Sequence, residues 1–249
     1  MNEAVLKVPS ALNLLLITKT SKQSIYMKDI VKRFEDWLDK HANHLLDDLN
    51  EGVESAEVFG PIERMMGVDL PKDFKEFYMI HDGQFSESED RLFGVEELYS
   101  IERMISEQAK LKKRFYDGEF DDYDSEPEAG IRSEWYNPYW LPITCDGKGN
   151  YNCIDFAPTI EGELGQIIRV QLADTKRKIV GKSFREWFET YVESLERGAY
   201  VYSEKWGGMV YKTRSEKYQA EEEEDMWGND DEEEGEEMEG FEIIDETDL

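Results

Sequence analysis

Apolar residues recur along this chain with two different periods, and the change of period divides it. Between Met27 and Asn50, the residues Ile30, Val31, Phe34, Trp37, Leu38, Leu45, Leu46 and Leu49 fall near helical spacing. One amphipathic helix is expected there, closed by Gly52. Gly60-Pro61 opens a second, short helix through Ile62, Met65 and Met66, since proline suits a first helical position. A third helix is expected over Pro71 to His81, burying Phe74, Phe77, Tyr78 and His81 and ending at Asp82-Gly83. Leu92 to Val95 is a short strand candidate, and Val95 to Phe115 returns to helix.

The spacing then shifts toward strands. Trp140 to Thr144, Tyr151 to Phe156 and Gln166 to Leu172 are rich in β-branched and aromatic residues, with Gly- and Pro-bearing turns between them. Asp146-Gly147-Lys148-Gly149-Asn150 is the first of those turns. Ser183 and Glu186 form a capping box for a helix over Phe184 to Arg197, whose Phe184, Trp187, Phe188, Tyr191, Val192 and Leu195 make one continuous face. Tyr200 to Tyr202 and Met209 to Lys212 are marginal strands around Gly207-Gly208. Helices, then strands, then a closing helix predict an α+β fold rather than an alternating parallel sheet.

Charge changes the picture at three places. The 249 residues carry a net charge of −29. From Gln219 to Leu249 there are 17 Asp or Glu and no Lys or Arg, so residues 1–218 hold 41 acids against 29 bases. The expected organisation is a poorly ordered leader or alternative start over 1–26, a domain over 27–212, and an acidic, disordered tail over 213–249. Residues 117–134 hold eight acids against Arg132 alone and have almost no period, which predicts an exposed loop or insertion. An acidic body repels phosphate backbones and anionic lipid, which argues against nucleic-acid and membrane partners and favours a basic one. No segment approaches the roughly 18 to 20 apolar residues of a membrane span. Two cysteines, Cys145 and Cys153, make no disulfide framework, and the chain reads as cytoplasmic.

Candidate chemistry is sparse. His41 and His44 lie one helical turn apart, but no Cys and no acid at ligand spacing completes a metal site. The turn Asp146 to Asn150 leads into a strand rather than a helix N-terminus, which removes a phosphate loop, and Ala157 stands where a calcium loop needs Glu. Neither cysteine has a basic neighbour in sequence to lower its pKa. No catalytic residue, metal or cofactor is expected.

The block W-L-P-I (Trp140 to Ile143), D-G-K-G-N (Asp146 to Asn150), C-I-D (Cys153 to Asp155), Pro158, Gly162 and G-Q-I-I (Gly165 to Ile168) resembles the signature of the SUKH superfamily, the Smi/Knr glucan-synthesis-regulator-like domain. L-P-K-D-F-K-E-F with His81-Asp82-Gly83-Gln84 upstream, and S-F-R-E-W-F-E-T-Y downstream, are similar to motifs of the same family. The resemblance spans roughly residues 27 to 212. It implies a twisted, largely antiparallel sheet with helices packed against it and no enzymatic activity. Trp140, Pro142, Asp146, Gly147, Gly149, Asn150, Asp155, Gly165 and Gln166 then read mainly as fold determinants. Bacterial relatives of this kind neutralise toxin domains, and fungal relatives regulate wall synthesis. The expected function is therefore a protein-binding immunity protein against a basic, nuclease-type toxin. The alternative is a regulatory or scaffolding protein of the cell-wall type outside any toxin system. Asp121, Asp122, Asp124, Glu126 and Glu128 are the candidate partner-binding residues, because long-range attraction from an acidic rim speeds encounter with a basic partner.

Overall fold

A computed structural model of the chain describes residues 26–213. The expectations for the leader up to residue 25 and for the tail from residue 214 lie outside the described residues.

Helix α1 (Met27–His41) buries Met27, Ile30, Val31, Phe34 and Leu38 in one stripe. The helix expected over 27–50 ends nine residues early. A single turn, α2 (His44–Asp47), follows, and then β1 (Leu49–Glu51) pairs antiparallel with β2 (His81–Gln84). The same pairing shortens the helix expected over 71–81, which is α4 (Lys72–Tyr78), after α3 (Gly60–Met66). The cause is a contact between segments some thirty residues apart, to which a local period is blind. Gly83 lets β2 run close to the chain ahead of the next long helix: its φ is +68°, and a Cβ there would lie 2.5 Å from the Tyr99 and Ser100 backbone.

Leu92 to Val95 forms only an isolated bridge, Phe93 to Glu96. The strand lies just beyond it as β3 (Glu97–Leu98), and helix α5 (Ile101–Tyr116) starts six residues later than the spacing suggested, capped by Ser100, whose Oγ accepts the Arg103 N–H.

The principal sheet has the order β4-β9-β8-β7-β5. Its members are β4 (Glu126–Pro127), β5 (Trp140–Pro142), β7 (Asn150–Asp155), β8 (Gln166–Gln171) and β9 (Lys176–Gly181), with β6 (Thr144–Cys145) pairing separately with β3. Every pairing in the principal sheet is antiparallel except β4 with β9. The architecture is thus α+β with a largely antiparallel sheet. Strand β4 corrects the exposed-loop reading of 117–134: Phe120 and Ile131 are buried, as is Trp135 just beyond, and the segment supplies the edge of the sheet. Glu126 donates its N–H to the Thr175 carbonyl just before β9 and Glu128 to the Arg177 carbonyl within it, so Pro127 faces outward with no donor, which blocks further strand addition at that edge.

Helix α6 (Phe184–Glu196) is capped by Ser183, whose Oγ accepts the Glu186 N–H. Its apolar face meets α1 and α4 in an aromatic cluster: Phe188 packs edge-on against Phe34 at 5.4 Å and Phe77 at 4.9 Å, and Phe184 against Phe74 at 5.3 Å. A hairpin of β10 (Tyr200–Ser203) and β11 (Gly208–Tyr211) closes the described chain.

Candidate functional site

The residues singled out in the sequence fall into two groups that the fold keeps distinct. The turn before β7 is organised by Asp146. Its Oδ1 accepts the Lys148 N–H at 2.8 Å and the Asn150 N–H at 3.1 Å, and its Oδ2 accepts the Asn150 side-chain amide at 2.6 Å. Gly147 and Gly149 carry the positive φ values, +77° and +94°, that this geometry demands. At the far end of β7, Asp155 is fully buried. Its carboxylate accepts the Ala157 N–H at 2.8 Å and the Gln166 amide at 2.9 Å, and Gln166 also donates to the Gly130 carbonyl at 3.1 Å. Burial pushes the Asp155 carboxyl above its ordinary pKa, against the lowering by those donors. Gly165 N–H donates to the Asp155 carbonyl, while Trp140 is fully buried and Pro142 pairs with Cys153 across β5 and β7.

The acidic candidates lie elsewhere. Asp121, Asp122 and Asp124 are exposed in the turn after α5, and their carboxylates make no hydrogen bond or ion pair among the described residues. Glu126 sits in β4, exposed at the sheet edge. Glu128 is committed to the fold, its Oε2 accepting the Ile179 N–H of β9 at 2.8 Å. The structure therefore brings Glu126 and Glu128 to the sheet edge and leaves the three aspartates free beside it.

Three charged residues escaped the sequence reading. Glu96 is buried and accepts from Thr144 Oγ1, from Asn152 Nδ2 at 2.9 Å and from Arg169 Nη1, tying together the chain before β3, β6, β7 and β8. Burial raises its pKa, and Arg169 and Thr144 offset this only in part. Arg177 is completely buried in β9. Its guanidinium donates to the carbonyls of Gln171, Asp174, Lys176 and Trp135 and lies over the Trp135 ring at 4.8 Å. Burial lowers its pKa to about 10, so it remains a cation at neutral pH. Glu96 and Arg169 have no local sequence signal, because their partners are distant in the chain, and the burial of Arg177 depends in part on Trp135, 42 residues away.

The histidines one turn apart diverge. His41 stacks on Trp37, while His44 meets the Tyr202 ring edge-on and lies 3.4 Å from Asp90. His81 Nε2 is 2.8 Å from Glu35 Oε1. Burial raises the thiol pKa of both Cys145 and Cys153, which suppresses the thiolate. Asp146, Asp155 and Glu96 are each occupied by donors of the fold itself, an arrangement that holds strands together rather than aiming a base at a substrate.

A sequence profile of the SMI1 / KNR4 family (SUKH-1) matches residues 55–190. The chain belongs to that family. It is 27% identical over 188 residues to the "Cell wall biosynthesis/cell cycle regulator smi1" of Schizosaccharomyces pombe, covering 70% of this chain and 37% of that protein. It is 24% identical over 206 residues to the "KNR4/SMI1 homolog 2" of Debaryomyces hansenii, covering 67% of this chain and 35% of the relative. With the "Glucan synthesis regulatory protein" of Neurospora crassa the identity is 23% over 211 residues, covering 70% and 39%. The chain thus spans little more than a third of the length of these relatives. The matched SUKH-1 span includes the acidic segment, the Asp146 turn and the Asp155 network but excludes α1, although Phe34 of α1 packs into the same core. Among the described residues, no helix is long and apolar enough to cross a membrane.

Proposed function

We propose that this chain is a non-catalytic, cytoplasmic protein-binding module that regulates cell-wall or glucan synthesis, with Asp121, Asp122 and Asp124 steering a basic partner protein. The observation that carries the binding role is the contrast within one segment. Phe120, Ile131 and Trp135 anchor it, Glu128 latches it to β9, and three aspartates between those anchors are left to solvent. Such a rigidly based acidic rim accelerates encounter with a cationic surface, and salt screens that attraction over about 8 Å. The names of the fungal relatives support regulation over the toxin-immunity reading. The motif residues around Asp146 and Asp155 serve the fold in this reading.

Loss of the gene in the source organism should alter glucan content and tolerance of wall-binding dyes. Replacing Asp121, Asp122 and Asp124 by Asn should slow association with the captured partner several-fold at low salt and leave dissociation nearly unchanged. Unaltered glucan, together with rescue of cells from a co-expressed toxin domain, would return the function to immunity.

A further inference from the structure

A second surface carries the opposite charge. Between the C-terminal end of α3 and the loop that follows β7 lies an open cleft of about 580 Å³. Arg64 and Arg132 line it together with Met65, Val68, Tyr139 and Phe156, and no Asp or Glu is among its lining residues. In a chain with 58 acids and 29 bases that composition is unusual. Lys112 adjoins it from α5, donating to the Met65 carbonyl at 2.7 Å with its ammonium 5.9 Å from the Tyr139 ring centroid. Arg64, Lys112 and Arg132 form no salt bridge among the described residues, whereas Lys75, Lys110, Lys113 and Arg114 on the same two helices or on α4 all do. Arg132 keeps its orientation by donating Nε to the Ala157 carbonyl at 2.7 Å, which leaves the terminal nitrogens of its fork available. The wall continues into a loop where Ile160 is fully exposed and Leu164 is 67% exposed. Glu161 and Glu163 of that loop do not line the cleft.

We propose that this cleft is a docking site for an acidic peptide segment of a partner protein, its carboxylates held by Arg64 and Arg132 and its apolar side chains laid on Tyr139 and Phe156. The exposed Ile160 and Leu164 favour an extended segment over a compact anion, since only an extended chain reaches beyond the cleft to cover them. The proposal rests on the protein-binding reading but uses a different face and the opposite charge.

The test is fluorescence anisotropy on the full chain, with a labelled synthetic peptide of about twelve residues, half Asp or Glu and carrying two Phe. Binding should weaken at least about tenfold in the Arg64→Glu, Arg132→Glu double variant. Arg64→Glu alone, at an exposed helix position, should give a clear part of that loss if the double variant folds poorly. Lys148→Glu, an equal change in net charge on the Asp146 turn, should leave affinity unchanged. Equal losses in all variants, or none, would overturn the proposal. Binding of free inorganic phosphate with the same Arg dependence, in place of the peptide, would overturn it as well. Binding that emerges only when residues 214–249 are removed would overturn it in favour of the chain's own acidic tail as occupant. Capture of the native partner by the Arg double variant at full strength would remove the cleft and leave the protein-binding reading standing. Failure to capture any partner with wild type would remove that reading itself.

Discussion

Trp187→Ala tests whether the capped helix α6 is a pillar of the core. The indole is 8% exposed, stacks on Phe93 at 5.0 Å with the rings 15° from parallel, and touches Phe184 at 5.5 Å. A buried Trp hides about 150 to 250 Å², worth about 4 to 6 kcal/mol at about 25 cal/mol/Å². Alanine keeps the first carbon and loses the rest, so the expected cost is about 3 to 5 kcal/mol, part of it from the lost ring stack. Denaturant unfolding followed by far-UV circular dichroism should show a lower midpoint at unchanged slope. A loss below about 1 kcal/mol would refute the core assignment and make this face a binding surface instead. Gly181 sharpens the test. A Cβ there would lie 2.7 Å from Trp187 Cβ and 3.0 Å from its Cα and N. Gly181→Ala should cost about 1 to 3 kcal/mol by overpacking. The obstructing atoms are ones that alanine at 187 retains, so the double variant should lose the sum of the two. Rescue in the double variant would show that the indole, not the backbone, sets this close approach.

Two further perturbations address the buried charges. Glu96 has a raised folded pKa, so the folded state holds its proton more tightly than the unfolded chain, and its contribution is best at low pH and declines as pH rises through the raised value. The stability advantage of wild type over Glu96→Gln should therefore shrink as pH rises above the ordinary carboxylate range, and an advantage that grows with pH would contradict it. Arg177→Met leaves the Trp135 carbonyl buried without its donor, with an expected loss of about 2 to 3 kcal/mol. Hydrogen exchange at Glu126 and Glu128, whose N–H groups donate to the Thr175 and Arg177 carbonyls, should quicken in that variant, and unchanged protection there would show that Arg177 does not hold the segment.

What was legible in the chain was whatever signals locally. Ser183 and the aromatic face behind it announced α6, and Asp146 with its glycines announced the turn before β7, because a cap and a tight turn are made by residues adjacent in sequence. Strand β9 was missed for the opposite reason. Lys176-Arg177-Lys178 reads as a solvated run, yet Arg177 is buried by carbonyls from β8, from the turn after it and from Trp135, 42 residues away. The end of α1 was misplaced because the pairing of β1 with β2 competes with a helix that the local spacing still favours. In 117–134, eight acids hid two anchors, since Phe120 and Ile131 share no period with each other or with Trp135 just beyond. The exposure of Asp121, Asp122 and Asp124 was readable because nothing near them in sequence could bury them, whereas the latch of Glu128 on Ile179 was not. The cleft of Arg64 and Arg132 shows how far this limit extends. Net charge summed along a chain averages over the surface and forecasts a basic partner. Folding then draws two arginines 68 residues apart to one place and keeps carboxylates out of it, so an acidic sequence acquires a local site for an acid.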